Sequence, residues 1–158
     1  MEDLLPFTME GGAPEAFNEP VTMRPTPLAE RSGLLVLGAT GDWPQELSDP
    51  ATGWSTLRWA QQIDPDRLKP AAEALALATP ASEAGGSLSP ETLTGSPIVI
   101  SMQYGAGRVI YVATDEIWRW RYARGEALPE RFWLPLIRLQ GRERLARSAR
   151  PAMLEVRP

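Results

Sequence analysis

The segment 98–114, IVISMQYGAGRVIYVAT, constrains the fold of this chain more than any other part of it. Two runs rich in β-branched and aromatic residues, 98–104 and 108–114, flank a Gly-Ala-Gly sequence at 105–107. This arrangement predicts a β-hairpin with a glycine-containing turn. Both runs are almost continuously apolar, so we expect the two strands to be buried on both faces of a sheet.

The segment after the hairpin predicts the main helix, from about Pro129 to Arg147. Five apolar residues form the stripe that we expect to face the sheet: Phe132, Trp133, Leu136, Ile137 and Leu145. The arginines at positions 131, 138 and 142 lie on the other side of the helix. Together these segments predict an α+β fold, or a reduced α/β fold. A small sheet centred on the 98–114 hairpin is then covered by helix 129–147 and by tryptophan-rich loops.

Shorter elements are predicted before the hairpin. Residues 21–24 lie between Pro20 and Pro25 and leave room for one short strand. Thr26 as N-cap, Pro27 at the first helical position and Gly33 as the stop predict a short helix after it. In 71–79 alanine and leucine favour a helix by propensity, but Pro70 and Pro80 bracket only nine residues and the leucines alternate with small residues, so a second strand is the favoured interpretation.

Two further segments before the hairpin are less regular. The apolar run 34–38, LLVLG, fits either a buried strand or the end of a packed helix, because so short a run has no diagnostic period. The segment 79–97 is rich in glycine, serine and proline and predicts a polar surface loop.

The chain contains neither cysteine nor histidine, which removes whole classes of chemistry. It lacks the usual general base of hydrolases, the commonest metal ligand and any thiolate nucleophile. A net charge of −4 does not attract nucleic acid or anionic lipid. No apolar run approaches the roughly 20 residues that span a membrane. We therefore expect a soluble segment that binds no metal or cofactor and does not insert into a membrane.

Residues 113–133 follow the hairpin and contain three of the six tryptophans of the chain. Arginines and carboxylates alternate with these rings, so the segment is the main candidate for a site. With the hairpin turn before it, the candidate binding or structural residues are Tyr104, Arg108, Asp115, Glu116, Trp118, Arg119, Trp120, Arg121 and Trp133.

These residues resemble a motif of a bacterial protein group. Its blocks are Tyr-Gly-x-Gly-Arg at 104–108, Thr-Asp-Glu-x-Trp-Arg-Trp-Arg at 114–121 and Glu-Arg-Phe-Trp at 130–133. They are similar to the C-terminal part of the class I glutamine amidotransferase-like domain of membrane-anchored proteins with von Willebrand A-type domains. The Trp-Arg-Trp-Arg block is the most specific, because Tyr-Gly-x-Gly-Arg recurs in other relatives.

The resemblance implies that residues 1–150 are a single partial domain of this kind and that 151–158 are a tail or the start of a following strand. The first half of the flavodoxin-like core, with its usual nucleophile turn, would then precede the sequence LLPF at 4–7. Such relatives are generally not shown to be amidotransferases. The resemblance therefore implies a non-catalytic structural or interaction module of a larger, membrane-associated bacterial protein. Its partners would be other domains of that protein or a separate protein.

Three interpretations of the Trp-Arg-Trp-Arg segment remain open. In the first, its rings and its Arg–carboxylate pairs form a buried corner that joins the hairpin to the helix. In the second, Trp118, Trp120 and Arg119 bind a carbohydrate or another small ligand. In the third, Asp115 and Glu116 are the carboxylate pair of a hydrolase, although such pairs face each other across roughly 5–10 Å. The first is favoured, because adjacent residues point in different directions and buried charges are normally paired.

These interpretations differ in their expectation for Trp118→Ala. A buried corner predicts a loss of about 3–5 kcal/mol in the free energy of unfolding. A binding platform predicts nearly unchanged stability and a loss of ligand binding.

A basic stretch at the end of the predicted helix also invites a functional interpretation. It consists of Arg138, Arg142, Arg144, Arg147 and Arg150. Nucleic acid would require a basic surface, but the chain as a whole is acidic. We interpret the stretch as an exposed helix face or a contact with a neighbouring domain, where cations also suit the helix C-terminus.

Overall fold

The computed structural model describes residues 2–9, 12–39, 41–84 and 95–148 of the chain. The strands are β1 (Glu15–Ala16), β2 (Val21–Pro25), β3 (Gln61–Gln62), β4 (Ala72–Pro80), β5 (Ser96–Tyr104) and β6 (Gly107–Val112). The α-helices are α1 (Pro27–Arg31), α2 (Arg121–Arg124) and α3 (Ala127–Ser148). Short 3-10 helices lie at Glu2–Leu4, Gln45–Leu47, Pro50–Thr52, Pro65–Arg67 and Glu116–Trp120.

Four strands form one sheet in the order β2-β4-β5-β6, and β1 pairs with β3 in a separate ribbon. All of these pairings are antiparallel. Helix α3 lies against β6 at the end of the sheet. The predicted α+β fold, a small sheet with a hairpin and one main helix, is confirmed.

The hairpin forms where the sequence predicts it. β5 and β6 pair from Val99 with Val112 to Tyr104 with Gly107, and Gly105 takes a φ of 55° in the turn. β5 lies between two strands and is buried along most of its length. β6 is only half-buried, so the prediction of burial on both faces is wrong for this strand. Within the described residues β6 is the last strand of the sheet, and its outer side therefore meets less protein.

The short elements before the hairpin also form as predicted. β2 and β4 are the two expected strands, and they pair with each other. Helix α1 begins after Thr26, whose side-chain oxygen accepts a hydrogen bond from the Ala29 amide at 3.4 Å. Pro27 occupies its first position, and Gly33 follows its end with a φ of 65°. These local signals depend little on the rest of the chain.

Residues 34–38 form neither a strand nor a helix. Leu35 has a φ of 58°, which lies outside both regular conformations. Leu35 and Leu37 are nevertheless buried, and the Leu37 carbonyl accepts a hydrogen bond from Arg131 of α3 at 2.8 Å. The apolar run therefore indicated burial correctly but carried no information about backbone conformation.

Helix α3 extends slightly beyond both ends of the predicted range. Leu128, Phe132 and Leu136 follow one another at four-residue spacing and are buried. Trp133 and Ile137 are each one position further along, which rotates them by about 100° around the helix axis. They are 40% and 62% exposed, so the prediction that they face the sheet is wrong.

Some predictions fall partly outside the described residues. The predicted loop 79–97 is shorter than expected, since β4 continues to Pro80 and β5 begins at Ser96. Residues 85–94 and 149–158 and the side chains of 142–148 are not described. The Leu145 packing, most of the basic stretch and the final strand therefore stay predictions. In the part of the chain that is described, no helix is both long enough and apolar enough to cross a membrane.

Tyr111 of β6 connects the sheet to the N-terminal segment and to β3. Its ring meets Phe7 edge to face, with 5.3 Å between the centroids. Its hydroxyl donates a hydrogen bond to the side-chain oxygen of Gln61, and the backbone N–H of Gln61 donates to the Ala113 carbonyl at 2.8 Å. Burial raises the pKa of Tyr111 above its ordinary value.

This raised pKa predicts a loss of stability at alkaline pH. The folded chain holds the phenol proton more tightly than the unfolded chain, whose tyrosine pKa is about 10. The stabilisation is complete below that value and is lost as the pH rises through the higher folded pKa. We expect the free energy of unfolding to fall more steeply above about pH 10 in wild type than in Tyr111→Phe. Urea unfolding of wild type and Tyr111→Phe across this pH range measures both slopes. Equal slopes would contradict a raised pKa of Tyr111.

Candidate functional site

The Trp-Arg-Trp-Arg segment lies in the 3-10 helix Glu116–Trp120 and the start of α2. A 3-10 helix has about three residues per turn, so residues three apart share a face. Ile117 and Trp120 are therefore buried together, whereas Trp118 is 43% exposed. The structure divides the segment into an inward side and an outward side.

Trp120 is the anchor of the inward side and is fully buried. Its indole N–H donates a hydrogen bond to the Ser55 carbonyl at 3.1 Å. Its ring meets Trp43 edge to face at 6.0 Å and Phe132 of α3 at 5.8 Å, measured between centroids. One side chain therefore joins the end of the hairpin, the long loop before β3 and the main helix.

Glu116, like Trp120, connects the end of the hairpin to the loop before β3. Its carboxylate accepts hydrogen bonds from the backbone amides of Arg58 and Trp59, the latter at 3.1 Å. Arg119 lies 3.9 Å from the other carboxylate oxygen. The Thr114 hydroxyl donates to the Trp59 carbonyl at 2.7 Å and reinforces the same junction. The Glu116 carboxylate is thus engaged in holding a loop to the end of the hairpin.

Asp115 differs from its neighbour. It is exposed, and within the described residues its carboxylate has no hydrogen bond or ion pair. The expected pairing with an arginine holds for Glu116 and is wrong for Asp115. Arg121 instead lies 3.5 Å from Glu126. The two adjacent carboxylates, 115 and 116, therefore have different surroundings.

Tyr104 and Arg108 lie at the turn of the hairpin and do not line the cleft described next. Tyr104 is 46% exposed. The Arg108 guanidinium donates a hydrogen bond to the Ser101 hydroxyl at 2.7 Å, across the two strands. The structure therefore does not bring all of the predicted site residues together.

The outward side of the segment faces helix α3 across a cleft of about 400 Å³. We name it the Trp118–Trp133 cleft. It is lined by Trp118, Arg121, Glu126, Pro129, Glu130, Trp133, Leu134 and Ile137. Tyr122 is 72% exposed and extends the aromatic surface, with its ring 5.7 Å from that of Trp118.

The charges of the cleft are carried by three residues on its lining. Glu126 and Glu130 bring two carboxylates and Arg121 brings one guanidinium, so the local balance is −1. Arg121 pairs with Glu126 at 3.5 Å, whereas within the described residues the Glu130 carboxylate has no partner. Arg119 lies over the Trp118 ring at 5.8 Å from its centroid and pairs with Glu116.

Some of the lining residues are among the predicted site residues and others are not. The sequence pattern groups Trp118 with Trp120 and places Trp133 in the core, whereas the structure separates the first pair and exposes Trp133. Glu130 and Ile137 are not among the predicted site residues. Their helical spacing from Trp133, three and four residues, was the available signal.

Two open grooves elsewhere are larger, but neither is lined by a large exposed apolar side chain. One, of about 950 Å³, lies along β4 and the β1–β3 ribbon. The other, of about 1090 Å³, carries the acidic residues Glu30, Asp42, Glu46 and Asp49 around Arg24. Over the described ranges no group of three or more carboxylates lies close enough to hold a metal ion.

Comparison with known proteins adds no assignment. No protein-family model, no curated protein and no solved structure matches this chain. The site itself therefore carries the functional argument.

Truncation of the inward tryptophan, Trp120, and of the outward tryptophan, Trp118, should change the free energy of unfolding by different amounts. Trp120→Ala removes a fully buried ring and should lower the free energy of unfolding by about 3–5 kcal/mol. Trp118→Ala, at a ring that is 43% exposed, should cost about 1 kcal/mol or less. This revises the expectation of a large loss at Trp118. Urea unfolding of both variants measures the difference, and equal losses would contradict the division.

Proposed function

We propose that this chain is a non-catalytic interaction module and that the Trp118–Trp133 cleft is its contact surface. The partner is another domain of the same protein or a separate protein. One observation carries the proposal: the exposed side chains of Trp118, Tyr122, Trp133 and Ile137 gather around one concave surface. Single exposed apolar residues are ordinary, but a contiguous patch is typical of a binding surface.

The composition of the cleft supports a protein partner. The centres of protein interfaces are enriched in tryptophan, tyrosine and arginine. The cleft offers Trp118, Trp133 and Arg121, with Tyr122 beside them. A rim of charged side chains around an apolar centre is the usual arrangement of such a surface.

The cleft is also held in a fixed geometry from beneath. Trp118 is two residues from the buried Trp120, and Trp133 directly follows the buried Phe132. Trp120 and Phe132 contact each other edge to face at 5.8 Å, so the two walls share one buried support. A binding surface that is already ordered loses less conformational entropy when a partner binds.

A carbohydrate or small-ligand binding module is the second candidate. It is favoured by the two tryptophans that line one cleft, since their rings offer large flat apolar faces. The same cleft, however, has an aliphatic wall of Leu134 and Ile137 beside Pro129. That wall suits the apolar side chains of a protein better than the hydroxyl groups of a sugar.

We further propose, on the motif at 104–108, 114–121 and 130–133, that the chain is the C-terminal part of a glutamine amidotransferase-like domain in a larger bacterial protein. Two blocks of that motif supply Trp118 and Trp133, which stand on the two sides of the cleft. On this proposal the cleft contacts a neighbouring domain or a partner of the parent protein.

A random-peptide display selection against the wild-type chain tests the interaction proposal. Peptides selected for binding should lose most of their affinity for Trp133→Ser. They should keep it for Trp59→Ser, because Trp59 is 43% exposed but lies outside the cleft. Matched exposure of the two tryptophans controls for a general loss of surface hydrophobicity.

Two outcomes would contradict the proposal. If the selected peptides bind both variants as well as wild type, the cleft is not the contact surface. If no peptide depends on Trp133 but a glycan panel yields Trp133-dependent binding, the carbohydrate interpretation replaces it. Circular dichroism of each variant verifies that the fold is retained.

A further inference from the structure

We propose that the Trp118–Trp133 cleft recognises a basic side chain, arginine or lysine, of its protein partner. The side chain would lie against the Trp133 ring and place its charge beside the Glu130 carboxylate. This inference rests on the proposed interaction function and gives the chemistry of the contact.

The cleft carries one negative charge that is not balanced within its lining. Glu126 directly precedes α3, Glu130 lies four residues later in its first turn, and both line the cleft. Arg121 is bound to Glu126 at 3.5 Å, with the two side chains 49% and 71% exposed. Within the described residues Glu130 has no such partner. A partner that covers the cleft therefore has to supply a positive group for Glu130, because covering an unpaired carboxylate is unfavourable.

Trp133 offers an aromatic surface on the same lining as that carboxylate. Trp133 lies three residues after Glu130, which puts the ring and the carboxylate on one side of the helix. Tryptophan is the aromatic side chain that attracts a cation most strongly. Among the described residues no cation lies over the Trp133 ring, which is 40% exposed. The ring and the carboxylate can therefore hold the same positive group.

A contact inside the molecule shows the same chemistry on the opposite wall. The Arg119 guanidinium lies 5.8 Å from the centroid of Trp118 and 3.9 Å from Glu116. This arginine is thus held between a tryptophan ring and a glutamate, and its side chain is only 17% exposed. Trp133 and Glu130 present the same pair of groups without the arginine. The partner would supply the basic side chain that is absent there.

The apolar lining explains why a basic residue of a protein fits better than a free cation. Leu134 and Ile137 lie beside Trp133 and offer aliphatic contact. The methylene chain of arginine or lysine can cover such surface while its charged end remains near the rim. Neighbouring residues of a peptide would then extend over the exposed Tyr122 and Trp118.

The test compares two amino-acid amides as probes. N-acetyl-arginine amide and its neutral isostere N-acetyl-citrulline amide are titrated into 15N-labelled protein, and the indole N–H signals of Trp118 and Trp133 are followed. The arginine probe should shift the Trp133 signal and bind at least five-fold more tightly than the citrulline probe. Added salt should weaken its binding, because the contact is charged and exposed.

Glu130→Gln and Glu15→Gln form the matched pair of variants. Glu130→Gln keeps the shape of the side chain and removes its charge, so the arginine probe should lose at least five-fold in affinity and the citrulline probe should not change. Glu15 is exposed on β1, outside the cleft, and Glu15→Gln should bind both probes like wild type. Both changes are at exposed positions, so the fold should persist.

The outcomes separate this inference from the proposed function. Equal binding of the two probes, or unchanged arginine binding in Glu130→Gln, overturns the basic-residue inference and leaves an apolar contact surface. Displayed peptides that depend on Trp133 but are not enriched in arginine or lysine overturn it as well. Failure of every peptide to depend on Trp133 overturns the interaction function itself.

Discussion

The burial of Trp120 is the interaction on which the rest of the structure depends. Its ring touches Phe132 of the main helix and Trp43 of the long loop, and its indole N–H binds the Ser55 carbonyl. The hairpin, the loop and the helix therefore meet at one side chain. A buried aromatic ring contributes both apolar area and directional ring contacts, which is why one residue can organise three segments.

The same anchor determines which residues remain outside. A 3-10 turn that buries Ile117 and Trp120 must turn Trp118 toward solvent. In α3, Trp133 follows the buried Phe132, is rotated by about 100° from it and is 40% exposed. The outward rings, Trp118 and Trp133, then line one cleft next to the inward rings, Trp120 and Phe132, which touch. Adjacent residues of one motif are thus divided between buried positions and exposed ones, and the exposed ones form the contact surface that we propose.

The sequence predicted those elements whose signals are local. Two runs rich in β-branched residues and a glycine-bearing turn specify the hairpin, and a threonine cap followed by proline specifies helix α1. It could not predict the conformation of Leu35, because a positive φ there depends on packing from other segments. The cleft depends on the approach of Trp118 to Trp133, which are 15 residues apart in the sequence. Periodicity within one element carries no information about such a contact between two.

The most direct test of this account is a double-mutant cycle on the buried support. Trp120→Leu, Phe132→Leu and the double variant are compared with wild type by urea unfolding. A ring contact that joins hairpin and helix predicts a coupling free energy of about 0.5–1.5 kcal/mol between the two positions. Losses that add to within about 0.3 kcal/mol would show that the rings do not act together. The two walls of the cleft would then have no common buried support, which would contradict the central role of Trp120.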